Sequence, residues 1–265
     1  MKWFASVSIL VIQHDADKGL GLFAPPLAAA GLELDVRFAG HGELELGDHA
    51  AVVALPGVAN PVDETPAIVS TRKVLRDALR RQVPVIGICL GGELLAEAAG
   101  GLTHQCPPEW GFREVALLPA AREDDLFGDL PEHVTVFQAH DYGFDLPPGA
   151  VALAGSGDAV QAFRVGASAW GIQFHPEPTL EMLDGWTAAL GHLMQANGVD
   201  PELTRRLGRR YVPEWRERAD AIAQRFAAVV RIASPARAGP VRPARPRGAG
   251  SRRSPRRRCD ADAGA

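Results

Sequence analysis

The sequence has 265 residues, which is enough for one large domain or two small ones. Its hydrophobic fraction of 46% and charged fraction of 23% exclude a wholly disordered chain, a fibrous protein and a small disulfide-rich scaffold. The formal net charge of −4 is unevenly spread: residues 234–265 contain nine Arg and two Asp, whereas residues 1–233 contain 19 Lys and Arg against 30 Asp and Glu. An acidic body of this kind argues against nucleic-acid binding by the folded domain, because phosphates need a basic face.

The first half of the chain alternates between apolar runs and amphipathic segments. The runs predict strands at 7–12, 32–38, 51–55 and 84–88, and the segments predict helices at 20–30, 68–81 and 94–99. Strands that are apolar throughout and separated by helices indicate an open, mostly parallel sheet with helices on both faces. We interpret the first run as a strand and not as a signal peptide, because no small-residue cleavage pattern follows it.

The second half changes character. Short apolar runs joined by Gly, Pro and Asp predict a β-rich addition with strands at 115–118, 134–137, 151–154, 160–165 and 169–174. Helical spacing returns at 180–194 and in an Arg-rich extension at 200–232. We therefore predict an α/β domain over 1–195, a helical extension packed on it over 196–233, and a disordered Arg/Pro-rich tail over 234–265.

The chain has three cysteines, Cys89, Cys106 and Cys259. A sparse, odd number does not form a disulfide framework and favours a reducing, cytoplasmic compartment. No apolar run approaches the length of a membrane span, so we expect no membrane association. His104 lies close to Cys106 in sequence, but two ligands do not make a metal site, and we predict no metal.

One segment carries the pattern of a catalytic nucleophile. The strand at 84–88 runs directly into Cys89, which is flanked by Gly87 and Gly91 and followed by a helix. This strand–turn–helix pattern is typical of a nucleophile elbow, in which small residues allow a tight turn. The helix N-terminus is expected to favour the thiolate of Cys89, and the N–H of Leu90 is suitably placed to receive an oxyanion. The alternative is a buried structural cysteine at a strand end.

A second segment supplies a base and a residue to orient it. His175 follows an apolar strand, and Glu177 comes two residues later, separated by Pro176. The carboxylate can hold one imidazole nitrogen while the other faces Cys89, which is the arrangement that a cysteine nucleophile requires. The order Cys, His, Glu differs from that of the α/β-hydrolases, which disfavours an ordinary esterase.

The segments GICLGGELLA and GIQFHPE together resemble the class I glutamine amidotransferase domain. More narrowly, the chain is similar to stand-alone members that resemble the amidotransferase half of GMP synthase. Further matching segments are ILVIQHDADKGLG, PEWGF, VFQAHDYGFDLPPGA and VQAFR, and the likeness covers about residues 5–232.

The resemblance implies a mechanism. Cys89 would attack the side-chain amide of glutamine, the N–H groups of Leu90 and Gly57 would hold the oxyanion, and His175, oriented by Glu177, would move protons. The products would be glutamate and ammonia, formed through a γ-glutamyl thioester with no metal and no cofactor. Because no phosphate-binding loop of a synthase is visible, the resemblance also implies a synthase partner in trans.

The chain departs from the family pattern at two positions. The first glycine of the oxyanion loop is Pro56, which has no N–H, and the glutamine usually found four residues after the nucleophile is Glu93. We expect Glu93 and His140 to contact the substrate. Two alternatives remain: a γ-glutamyl hydrolase acting on a γ-glutamyl amine or peptide with the same triad, and a catalytically silent regulatory protein of the same fold.

Overall fold

A computed structural model describes residues 7–234. These residues form one nine-stranded sheet whose strand order is β2-β1-β3-β4-β9-β8-β7-β5-β6. The strands are β1 (Val7–Gln13), β2 (Leu32–Phe38), β3 (Ala51–Ala54), β4 (Val85–Ile88), β5 (Thr103–Leu117), β6 (His133–Phe144), β7 (Val151–Ser156), β8 (Ala159–Val165) and β9 (Ala169–Ile172). Pairing is parallel from β2 to β9 and antiparallel from β9 to β6, so the predicted α/β fold with a β-rich addition is confirmed.

Helices cover both faces of the parallel half. They are α1 (Ala24–Ala29), α2 (Pro66–Arg80), α3 (Leu90–Ala98), α4 (Leu180–Ala189), α5 (Gly191–Ala196) and α6 (Pro201–Ala233), with short 3₁₀ helices at Gly21–Phe23 and Pro119–Glu123. Alternate residues of β1 face opposite sides: Ile9 and Val11 join one apolar core, and Leu10 and Ile12 join the other. This double burial explains why the parallel strands are apolar at every position.

The last helix packs against the first of these cores. Phe226 of α6 meets Trp170 edge to face at 6.4 Å between ring centroids, and Trp215 lies 5.9 Å from Phe174. At Gly208 a Cβ would lie 2.3 Å from the side chain of Leu183, so the absence of a side chain lets α6 approach α4 closely. The domain limits at 195 and 233 stay predictions, and the predicted tail lies, apart from Ser234, outside the described residues.

Two elements differ from the sequence prediction. The strands predicted at 115–118 and 134–137 are the inner parts of a long antiparallel hairpin, β5–β6, whose outer arm carries Pro107, Pro108 and a bulge between Gln105 and Glu109. Prolines and a bulge hide such an arm from period-two patterning. The helix predicted at 180–194 is two helices, α4 and α5, because the chain turns at Leu190–Gly191.

None of the helices within residues 7–234 is both long and apolar enough to cross a membrane.

Candidate active site

Cys89 occupies the sharp turn between β4 and α3. Its backbone has φ 50° and ψ −114°, a strained conformation for a residue with a side chain. The flanking glycines permit the turn: a Cβ would lie 2.3 Å from the carbonyl oxygen of Gly91 if built on Gly87, and 2.1 Å from that of Ala54 if built on Gly91. The turn and the helix after it match the predicted nucleophile elbow.

The electrostatic setting of Cys89 differs from the sequence expectation. Burial raises the pKa of the thiol well above its ordinary value, the charge of Glu93 raises it further, and a hydrogen bond from the N–H of Leu90 lowers it only in part. The expected preference for thiolate is therefore wrong: desolvation outweighs the stabilisation by the helix N-terminus. A thiol in this position needs a base when it reacts.

His175 is held at the end of β9 by backbone and side-chain contacts. Its N–H donates to the carbonyl oxygen of Phe137 on β6 at 2.9 Å, and its ring meets Trp186 edge to face at 5.2 Å between centroids. Nδ1 lies 2.9 Å from Oε1 of the fully buried Glu177. This contact assigns the proton of a neutral imidazole to Nδ1 and leaves Nε2 as a proton acceptor.

Glu177 itself is positioned by a segment before α1. Its carbonyl oxygen accepts from the N–H of Leu22 at 2.8 Å. Gly21 has φ 49°, and a Cβ there would lie 2.1 Å from that same oxygen. The segment at 19–23 thus permits the close approach that holds the chain at Glu177.

Cys89 and His175 line one cavity of about 180 Å³. Within the described residues Nε2 of His175 is buried and has no hydrogen-bond partner. The cavity also contains the predicted residues Gly57, Glu93 and His140, together with Lys18, Trp110 and Trp186, which sequence reasoning did not single out. The chain therefore brings the predicted nucleophile, base and substrate-contacting side chains to one place.

The loop that carries Gly57 is held in place by the two residues that follow β1. His14 Nδ1 lies 3.1 Å from the carbonyl oxygen of Leu55, its Nε2 lies 3.2 Å from the hydroxyl of Thr71, and Asp15 accepts from the N–H of Val58 at 2.8 Å. Burial lowers the pKa of His14, so this side chain is neutral at physiological pH. A Cβ on Gly57 would lie 2.6 Å from Leu90, so only glycine brings the loop this close to the nucleophile turn.

Glu93 lies one helical turn beyond Cys89. Its side chain is 3% exposed, and its Oε1 accepts from Nε2 of Gln173 at 2.9 Å. Burial raises the pKa of Glu93 to about 7, although the amide of Gln173 and the charge of His140 oppose the shift. Glu93 therefore changes charge near neutral pH, next to the nucleophile.

His140 reaches the cavity from β6, and its partners come from the arm of the hairpin that the sequence did not predict. Nδ1 donates to the carbonyl oxygen of Tyr142 at 2.8 Å, and Nε2 lies 3.2 Å from Oε2 of Glu109. Burial lowers the pKa of His140, but contacts with Cys106 and Glu109 outweigh it and raise the value to about 9. His140 is thus an imidazolium whose Nδ1 donates a hydrogen bond and whose Nε2 makes an ion-pair contact with Glu109 but no hydrogen bond to a described residue.

Sγ of Cys106 lies 4.0 Å from Nδ1 of His140. In the part of the chain that the structure describes, no group of three or more potential metal ligands occurs.

Comparison with known proteins identifies the family. Residues 28–185 match the family described as glutamine amidotransferase class-I. The chain belongs to this family. A subunit of imidazole glycerol phosphate synthase, HisH, from Xylella fastidiosa is 33% identical over 150 residues, which are 50% of this chain and 73% of that protein. A glutamine-hydrolysing GMP synthase from Porphyromonas gingivalis is 35% identical over 130 residues, which are 48% of this chain but only 25% of the synthase.

Solved structures show the same fold for this amidotransferase domain. A glutamine amidotransferase from Thermotoga maritima superposes with a TM-score of 0.77 at 24% identity, covering 84% of this chain and 99% of the other. One from Methylobacillus flagellatus also gives 0.77 at 24% identity, covering 84% and 95%. The predicted resemblance to class I amidotransferases is therefore confirmed.

Proposed function

We propose that this chain hydrolyses the side-chain amide of glutamine with Cys89 as nucleophile, His175 as base and acid, and Glu177 as the residue that orients His175. The observation that carries the proposal is a cysteine on a strained strand–helix turn that shares a cavity with a histidine whose other nitrogen is bound to a buried carboxylate. Family membership supports the same reaction.

The first half of the reaction forms a thioester. Nε2 of His175 takes the proton of the Cys89 thiol as the sulfur attacks the amide carbon of glutamine. The oxyanion accepts hydrogen bonds from the N–H groups of Leu90 and Gly57. These hydrogen bonds stabilise the negative charge in place of water, which a buried site excludes. The imidazolium then gives its proton to the amide nitrogen, the C–N bond breaks and ammonia leaves.

The second half hydrolyses that thioester. His175 takes a proton from water as the oxygen attacks the γ-glutamyl carbon, and it returns the proton to sulfur as the C–S bond breaks. Glutamine and water thus give glutamate and ammonia. The raised pKa of Cys89 supports this assignment of proton transfers, because a resident thiol needs His175 at the start.

A γ-glutamyl hydrolase is the second candidate. The cavity lining includes the large apolar side chains Trp110, Trp186, Leu190 and Leu193, which suit a leaving group larger than ammonia. Glu93, in place of the usual amide, favours a substrate end that carries positive charge. The sparse cysteines support a reducing, cytoplasmic compartment for either reaction.

A synthase that consumes the ammonia is the proposed partner. The HisH relative is named as a synthase subunit. Another relative, from Thermococcus kodakarensis, is named as one subunit of a glutamine-hydrolysing GMP synthase and is 37% identical over 99 residues. Their names support a partner in trans for this chain as well.

The experiment measures glutamate and ammonia released from glutamine and from γ-glutamyl amines, with a candidate synthase present and absent. Release from glutamine that is lost in Cys89→Ala supports the first candidate, and release from γ-glutamyl amines alone supports the second. A chain that keeps its fold and hydrolyses neither substrate, even with partners, is catalytically silent, and that result contradicts both candidates.

A further inference from the structure

A second cavity lies beside the active-site cavity, between the outer arm of the β5–β6 hairpin and the β7–β8 turn. Its volume is about 360 Å³, and His140 lines both cavities. The buried amides of Gln161 and Gln173 belong to its lining, Phe144 and Val160 contribute apolar surface, and the exposed carboxylates of Asp145 and Asp158 lie at its edge. Neither the proposed reaction nor the family match assigns this space a role.

Gln173 connects the two cavities. Its side-chain Nε2 donates to Glu93 in the active site, whereas its Oε1 is buried and accepts no hydrogen bond from any described residue. The whole residue is only 1% exposed. A buried carbonyl oxygen without a donor is unfavourable, so a ligand N–H that supplies the missing hydrogen bond would gain free energy there.

The charges of this second cavity select the kind of donor. The carboxylate of Glu109 is already engaged by His140 and by Nε2 of Gln161, which donates to it at 2.7 Å. Asp145 lies 3.5 Å from the exposed His104 and is itself exposed. The edge carboxylates therefore favour a cation, the amide oxygen of Gln173 accepts an N–H, and the wall of Phe144 and Val160 suits methylene groups.

We propose that this second cavity is a binding site for a small aliphatic primary amine, with an α,ω-diamine as the best-fitting form. One ammonium group donates to Oε1 of Gln173, the methylene chain lies against Phe144 and Val160, and the other ammonium group is held by Asp145 and Asp158.

The same amide couples this site to the nucleophile. An amine that holds Oε1 of Gln173 keeps Nε2 directed at Glu93, and an N–H donor stabilises the ionised carboxylate. Protonated Glu93 can still accept this hydrogen bond through its carbonyl oxygen, but more weakly, because that oxygen no longer carries the carboxylate charge. Amine binding therefore favours charged Glu93, and that charge opposes thiolate formation at Cys89.

Several other charged groups act on Glu93 and must be separated from this effect. They are His140 and Asp141 of β6, Glu97 of α3, and, in the same cavity, Lys18, Cys89 and His175. At the amine site itself, His104 of β5 lies 3.5 Å from Asp145.

Calorimetry of the full chain with 1,4-diaminobutane tests the site, with n-butylamine, n-butanol and butyrate as matched probes. We expect the diamine to bind more tightly than the monoamine, and the alcohol and the acid not to bind. The double variant Asp145→Asn, Asp158→Asn should weaken diamine binding about tenfold. The control Asp48→Asn, Glu45→Gln removes two exposed charges elsewhere and should leave it unchanged. No diamine binding, equal binding of butanol, or equal loss in the control overturns the proposal.

The coupling between the amine site and Cys89 is tested without catalytic turnover. Iodoacetamide modifies Cys89 in the full chain, and the rate of modification is measured at a series of pH values from the isolated peptide that contains Cys89. Saturating diamine should slow the modification near neutral pH and move its midpoint upward, and Glu93→Gln should abolish that shift while the diamine still binds. A midpoint that the diamine does not move, or that it moves equally in Glu93→Gln, contradicts the link through Gln173. Loss of glutaminase activity affects neither measurement, so a failed reaction and a failed amine site are distinguishable.

Discussion

The molecule contains two sets of a cysteine, a histidine and a glutamate side by side, and they behave differently. In the first set, Cys89, His175 and Glu177, one imidazole nitrogen is held by the carboxylate and the other has no described partner. In the second set, Cys106, His140 and Glu109, Nδ1 of His140 donates to a carbonyl oxygen, and Nε2, which also makes no hydrogen bond to a described residue, lies 3.2 Å from the carboxylate of Glu109.

This difference bears on which of the two sets can transfer protons. A histidine whose two nitrogens both face acceptors is stabilised as an imidazolium, which cannot take a proton. The second set also lacks a strained turn at its cysteine, because Cys106 lies on the bulged arm of β5 and not between a strand and a helix. We conclude that two features distinguish the proposed catalytic set: among the described residues its second imidazole nitrogen has no ion-pair contact with a carboxylate, and its cysteine lies on a nucleophile elbow.

Replacing the two cysteines should give the largest contrast. Cys89→Ala is expected to reduce glutamine hydrolysis by at least about 10⁴-fold, because the covalent intermediate cannot form. Cys106→Ala should keep most of the activity, and a glutamine-like electrophile should label Cys89 in it. Mass spectrometry and ammonia release check both, with near-ultraviolet circular dichroism as a control for folding. A dead Cys106→Ala beside an active Cys89→Ala would reverse the assignment.

The first set could be predicted from sequence because its parts are local. The turn at Cys89 follows an apolar strand and is flanked by glycines, and Glu177 is two residues from His175. The parallel sheet was predictable for the same reason, since β1, β3 and β4 are short runs of apolar residues. Each of these signals lies within a dozen residues.

The second set could not be predicted because its parts meet only through the hairpin. Glu109 pairs with His140 across the β5–β6 ladder, beyond two prolines and a bulge that hide the strand. The contact of Gln173 with Glu93 joins residues 80 positions apart. The raised pKa of Cys89 was also missed, because desolvation depends on the completed core and not on the nearby helix.

Replacing the two histidines should give the next largest contrast in activity between the two sets. His175→Gln is expected to lower kcat for glutamine by about 10³-fold, because it removes the group that moves protons in both half-reactions. His140→Gln should lower kcat/KM only about tenfold, mainly through substrate binding. Steady-state kinetics decide between them. If the loss in His140→Gln matched that in His175→Gln, His140 would be part of the proton-transfer machinery.

The two glutamates should show the same contrast, with a larger loss of activity in the first set than in the second. Both losses should be smaller than those of the corresponding histidines. Glu177→Gln removes the carboxylate that fixes the tautomer of His175, and we expect kcat to fall about 10²-fold. Glu109→Gln should leave kcat within about threefold while lowering the pKa of His140, which nuclear magnetic resonance of the ring protons measures directly. An unchanged pKa of His140 in Glu109→Gln would contradict the pairing across the hairpin.

The pH dependence of the free energy of unfolding should show a contribution from the second set alone. The pKa of His140 is raised from 6.5 to about 9, so the stability it contributes is complete below about pH 6.5 and is lost as the pH rises through 9. Urea unfolding of the wild type should therefore weaken between pH 6.5 and 10 more than that of His140→Gln. Because Glu109 and Glu93 also have shifted pKa values beside His140, the comparison uses the difference between the two proteins. Parallel curves would mean that His140 is not charged in the folded state.

The smallest effect is expected at Glu93, which lies between the two sets. Its pKa is raised to about 7, so it is largely ionised near pH 8 and protonated near pH 6. In the ionised form it opposes the Cys89 thiolate and repels the α-carboxylate of glutamine. Glu93→Gln removes that charge, so we expect the KM for glutamine to fall several-fold near pH 8 with a smaller change in kcat. Near pH 6 the two proteins should converge, because the wild-type carboxyl is then neutral as well.

The same charge bears on the stability of the fold. A raised carboxyl pKa means that the stability linked to protonated Glu93 is fully present below about pH 4.5 and is lost as the pH rises through 7, so the gain in stability of Glu93→Gln over the wild type should grow from about pH 4.5 and be complete above neutral pH. Glu214→Gln, which replaces an exposed glutamate of α6 outside the cavity lining, is the matched control for both measurements. An unchanged or raised KM for glutamine in Glu93→Gln, together with the gain in stability, would mean that the charge of Glu93 serves a cationic γ-glutamyl substrate. That outcome would favour the hydrolase over the glutaminase, because a buried carboxylate beside the nucleophile is retained at a cost to the fold only where it binds a positive group.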